Sequence, residues 1–113
     1  MDKYAGQLIA EGREGEKISQ SGLGKKANLS SGTIARWETG DLPISKDAAE
    51  RVADLLKIDK DMLIKMVFLE SLQRSLTRQL DKFKMEYEDY PSICEKIDEL
   101  REYLNKFIET LSV

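Results

Sequence analysis

The sequence predicts an all-α chain: a five-helix N-terminal domain followed by an antiparallel helical hairpin. Three observations carry that prediction. Apolar residues recur every three or four positions along most of the chain, the spacing of one helix face. Serine or aspartate stands just ahead of successive apolar stretches, where a helix N-terminus needs a side-chain acceptor. Two prolines and an aromatic content of 7% leave little of the composition that sheets favour.

Taken in order, Lys3 to about Glu14 places Ala5, Ile9 and Gly12 at helical spacing, with Leu8 beside them. Gly6, Gly12 and Gly15 weaken this first helix, each interior glycine costing roughly 0.5–1 kcal/mol relative to alanine, and Gly15 reads as its stop. Ile18 connects inward. Ser19 caps a second helix, Gln20 to Ala27, whose buried stripe is Leu23 and Ala27; Gly24 beside it lets a neighbouring helix come close. Asn28 falls at the turn, being one of the few residues besides glycine that tolerates the left-handed conformation. Ser30 caps a third helix running to about Thr39, with Ile34 and Trp37 inward, and Gly40 ends it. Trp37 at that spacing is core, not a base-stacking residue. After the Asp41–Pro43 turn, Ser45 caps Lys46 to Lys57, where Ala49, Val52, Ala53 and Leu56 form the apolar face. Ile58 connects, and Asp59 caps a helix starting near Lys60.

From Leu69 the pattern changes. Leu69, Leu72, Leu76, Leu80, Phe83 and Tyr87 make one stripe, and Ile93, Ile97, Leu100, Leu104, Phe107 and Leu111 make another of heptad character. Two matched helices, 69–88 and 92–111, each about 30 Å long, join through a turn in which Pro91 suits the first turn of the second. The domain boundary falls between 66 and 67. Two helices cannot cover both of their own stripes, so the hairpin either folds onto its N-terminal domain or pairs with a second copy. The second copy is preferred, through Leu72, Leu76, Leu80, Phe83, Ile97, Leu100, Leu104 and Phe107.

Composition bounds the chemistry. No stretch is apolar and long enough to span a bilayer, since Met62–Leu69 is interrupted by Lys65, and a cytoplasmic, membrane-free protein is expected. One cysteine and no histidine argue against a disulfide, a zinc site or His-based catalysis, and no nucleophile meets a base. Neither a metal nor a cofactor is expected, and the chain reads as a non-enzyme. The run Gly22–Lys26 fails the phosphate-loop pattern, with Ser19 where a glycine is required and Lys26 where Ser or Thr belongs. The net charge of −3 is modest support for a phosphate binder.

Ser19 to Gly40 nonetheless reads as two short helices about a tight turn, the second with a polar face: a helix-turn-helix, the device that places one helix in the major groove. Residues 5–64 resemble the phage-repressor (Cro/repressor-type) helix-turn-helix family of transcription factors. The resemblance rests on Ala5–Ile9, Arg13, Ile18–Gln20, Leu23, Lys26, the run Ser30–Gly40 and the connector Ile58–Leu63. It implies a five-helix domain whose third helix reads double-stranded DNA. Ser31, Gly32 and Arg36 fall where the family reads bases, with Thr33 on the edge between base and phosphate. Gln20, Ser30, Lys25 and Thr39 fall at phosphate positions, although Lys25 and Lys26 read equally as a solvated face. It also implies an ion pair between Arg13 and Glu38, each of which extends an apolar stripe by four residues. Gly12, Gly24, Ala27 and Asn28 depart from the family's usual residues.

The function expected is a sequence-specific regulator, a repressor on a palindromic operator as a homodimer. The other reading is a helix-turn-helix scaffold reused for protein partners, as in an antitoxin, antirepressor or viral inhibitor.

Overall fold

The structure is a computed structural model in which residues 4–111 are described. Among them every regular element is a helix: α1 Ala5–Gly15, α2 Gln20–Ala27, α3 Ser31–Thr39, α4 Lys46–Leu56, α5 Lys60–Glu86 and α6 Pro91–Leu111. The all-α reading holds. The expected helix start at Lys3 lies outside the described residues.

Each N-terminus in the first unit is fixed by the residue in front of it. Ser19, Ser30 and Ser45 have extended backbones, and their hydroxyls accept the amides of Gly22, Thr33 and Ala48. Asp59 Oδ1 accepts the Met62 amide at 3.1 Å and so starts α5. The C-termini share a device of their own. Lys17, Asn28, Gly40 and Lys57 are all left-handed, with φ of 58°, 59°, 84° and 56°. The next amide in each case returns to a carbonyl five residues back: Ile18 to Arg13, Leu29 to Gly24, Asp41 to Arg36 and Ile58 to Ala53. Gly15 is therefore not the stop of α1. It stays helical, and Lys17 takes the left-handed turn because Ile18 beyond it packs against the core.

Two compact units divide between Phe68 and Leu69. In the first, α2 packs on α3 and α4, and α1 packs on α3 and α4. Ile9, Leu23, Ile34, Val52 and Leu63 are fully buried and Trp37 nearly so. Burying one such side chain stabilises the fold by about 1.5–3 kcal/mol. Gly24 serves the turn, not a neighbouring helix: a Cβ there would lie 2.5 Å from the Leu29 carbonyl oxygen.

The second unit is the hairpin. Its first helix does not start afresh near Leu69, because α5 runs unbroken from Lys60 to Glu86 through the division. Between those ends no glycine or proline interrupts it. The chain turns at Tyr87–Tyr90, where the Tyr90 amide donates to the Tyr87 carbonyl and the two rings meet edge-on at 6.4 Å. Pro91 opens α6. Lys84 pairs with Asp98 at 2.8 Å and Arg101 with Asp81 across the hairpin, fixing the antiparallel register.

Candidate nucleic-acid interface

The face of α3 that points outward is decided by what points inward. Ile34 and Trp37 are held in the core, so Ser31, Gly32 and Arg36 emerge on the exposed side, with Thr33 half-buried between. Ser30 sets the start: its hydroxyl accepts the Thr33 amide at 3.0 Å and hydrogen-bonds the Thr33 hydroxyl at 2.8 Å. The left-handed Asn28 keeps α2 and α3 three residues apart, and the Leu29 amide closes the turn on Gly24 at 2.7 Å. Local capping and core burial thus specify one presentation of α3.

A polar cluster holds α3 against α1 and α2. Arg13 Nε donates to Glu38 Oε2 at 2.9 Å and Nη2 to Oε1 at 3.0 Å, a two-point pairing of fork and carboxylate. Arg13 Nη1 also donates to the Ile18 carbonyl, and Gln20 Nε2 to Glu38 Oε1 at 3.2 Å. The side chains of Arg13 and Glu38 are only 16% and 11% exposed, so the pair sits where water screens it poorly. The hydrogen bond to Glu38 is the main reason the Arg13 guanidinium is pushed above its ordinary pKa. Burial opposes this, and the charges of Glu38 and Glu14 add to it. Tyr4 Oη donates to the Glu38 carbonyl at 2.8 Å, tying the residue before α1 to the same turn of α3.

The electrostatics of this stretch differ from those of the chain. Ser19–Gly40 carries Lys25, Lys26 and Arg36 against Glu38 alone, a local net charge of +2 in a chain of −3. Glu38 is already matched by Arg13. Lys25, Lys26 and Arg36 are exposed and make no ion pair among the described residues. Surface cations without intramolecular partners, beside a protruding helix, can accept phosphate charge without first breaking a bond.

Residues 9–63 match a family model described as helix-turn-helix. That segment belongs to the Cro/repressor-type helix-turn-helix family. It runs from Ile9 in α1 to Leu63 in the first turn of α5 and contains both α2 and α3, so the helix-turn-helix domain is a DNA-binding regulator module. No curated protein and no solved structure matches the chain. Among the described residues, no helix is long and apolar enough to cross a membrane.

Within the helix-turn-helix domain, the side chains named from sequence divide by what they touch. Ser31, Gly32 and Arg36 lie together on the outer face of α3. Ser30 is occupied as the cap of α3. Gln20 commits one amide hydrogen to Glu38 and keeps the other. Thr39 turns its hydroxyl to the Arg36 carbonyl at 3.2 Å and the Asp41 carboxylate at 3.1 Å, a setting with a negative charge beside it. Arg51, which the sequence reading passed over, reaches from α4 to donate to the Ala27 carbonyl at 3.1 Å and so caps α2. Nothing in the spacing of Arg51 signals this, because its partner is a backbone group 24 residues away.

In the hairpin, Leu80 is buried, while Leu72, Leu76, Ile97 and Leu104 are half-buried. Phe83, Leu100 and Phe107 are 50%, 46% and 51% exposed, and Ile93 and Tyr103 extend the exposed apolar set.

Proposed function

We propose that the chain is a sequence-specific transcriptional repressor that binds a palindromic operator as a homodimer. The observation that carries the reading is the outer face of α3, where an unpaired Arg36 stands among small polar neighbours on a helix locked by the Arg13–Glu38 cluster. Arg36 is the one long side chain on that face and supplies a two-point contact to a guanine edge. Lys25 and the free amide hydrogen of Gln20 face phosphates, and blocking a promoter requires nothing beyond occupancy of the site. The exposed apolar side of the hairpin supports dimerisation. Pairing about a twofold axis would match two copies of α3 to half-sites about 34 Å apart.

The test is selection of bound duplexes from a random pool, followed by affinity measurements across a salt series. A palindrome should emerge, affinity should fall as salt rises, and Arg36→Ala should cost about 1–3 kcal/mol per half-site with the fold intact. The acidic balance of the chain favours one rival, a scaffold that engages a protein. Failure to recover any duplex, with a tight protein partner found instead, would replace the repressor reading.

A further inference from the structure

Most of the chain's glycines are accounted for inside the fold. A Cβ at Gly6 would lie 1.9 Å from the Trp37 carbonyl oxygen, at Gly12 2.8 Å from the Ile58 side chain, and at Gly24 2.5 Å from the Leu29 carbonyl oxygen. At Gly22 it would press on Ser19 and Ile18 at 3.2 and 3.3 Å. Gly40 is left-handed, and Gly15, though it has open space, is the last residue of α1. Gly32 differs from all of these. It lies in the first turn of α3, its φ is not positive, and an added Cβ would meet only Ser30 Oγ at 3.9 Å.

Neither packing nor backbone geometry therefore calls for glycine at this position, and helices favour alanine over glycine. What a Cβ at Gly32 would obstruct lies outside the chain. The residue is exposed, one turn before Arg36, between Ser31 and Thr33. Resting on the reading of α3 as the DNA-reading helix, we propose that Gly32 is a specificity-determining position whose bare Cα receives the 5-methyl group of a thymine. A residue without a side chain offers the groove only van der Waals contact. Of the four base edges, thymine alone projects an apolar group there, whereas the others present hydrogen-bonding atoms that Gly32 has no side chain to meet. A Cβ would hold the first turn of α3 away from that edge and weaken the neighbouring contacts with it.

The experiment uses the duplex that the full chain selects from a random pool. Gly32→Ala should melt at the same temperature or higher and lose about tenfold or more in affinity for that duplex. Replacing thymines singly by deoxyuridine, which lacks the methyl, should reveal one position per half-site where the original protein weakens by about fourfold. At that same position Gly32→Ala should recover part of its loss. Equal binding by Gly32→Ala, or a loss that no deoxyuridine position relieves, would overturn the proposal while leaving α3 as the reading helix. A lowered melting temperature would assign Gly32 to the fold and overturn it as well. If the original protein selects no duplex, the DNA reading itself falls, and this inference with it.

Discussion

Arg13 and Glu38 show how a pair of charges can serve a surface that neither touches. Each sits four residues beyond an apolar position, Ile9 and Ile34, so helical geometry turns both toward the interior. There the carboxylate receives two donors from Arg13 and one from Gln20. Glu38→Gln keeps the shape but leaves the guanidinium poorly compensated, and Arg13→Ala strands the carboxylate. Each should destabilise the fold by about 3 kcal/mol, the lower end of what losing one member of a buried pair costs, as read by urea unfolding. The pH dependence has a definite sign. Folding raises the Arg13 pKa, so its contribution is full below the unfolded value and fades only as pH climbs through the folded one, above the ordinary arginine range. Urea midpoints from pH 7 to 10 should therefore give the same penalty for Arg13→Ala at each pH. The two charges were legible because they interrupt apolar periodicity. Tyr4 and Arg51 were not, because each bonds a backbone carbonyl, which no residue type marks.

At the level of helices, the repeated left-handed closure explains which ends could be read. Asn28 and Gly40 announce themselves, since asparagine and glycine tolerate that backbone. Lys17 and Lys57 do not: lysine has no such preference, and the turn is imposed by Ile18 and Ile58, which pack on the core just beyond. A β-carbon in the left-handed region costs about 1–2 kcal/mol. Lys57→Gly should then stabilise the protein by about 1 kcal/mol, since the Lys57 side chain makes only a long, exposed contact of 4.0 Å with Glu16. A rise in the urea midpoint at constant slope is the expected readout, and an unchanged midpoint would show that the strain is relaxed locally. The continuity of α5 escaped the sequence for a related reason. Its inward positions drift from Leu63, Met66 and Val67 to Leu69 and Leu80, and a stripe that changes direction looks like a new helix. Only a cap, glycine or proline marks a true break, as Pro91 does before α6.

For the whole molecule, the weak charge of the N-terminal unit and the bare flank of the hairpin pose one question. Residues 1–58 carry nine basic and nine acidic side chains, so a single copy has little general attraction for phosphate. Two copies held together would bind the second half-site intramolecularly and gain about 10²–10⁴ in apparent affinity. Among the described hairpin residues, only Leu69, Leu80 and Ile108 are buried, whereas Ile93, Leu100 and Phe107, spaced by seven along α6, stay exposed with Phe83 on α5. A repeat of seven is the seam on which helices pair, and an antiparallel hairpin that offers it is half of a four-helix bundle. Leu100→Glu combined with Phe107→Glu places charges where the single chain makes little use of apolar groups. Helicity by circular dichroism should survive, while sedimentation equilibrium should shift from dimer to monomer. Affinity for the selected palindrome should drop by the same 10²–10⁴, and the slope of log affinity against log salt should fall to about half, because half the phosphate contacts are gone. A double variant that remains dimeric would move the interface elsewhere. A monomeric variant with undiminished affinity would show that one copy of α3 suffices, so that the modest charge of the domain is no handicap.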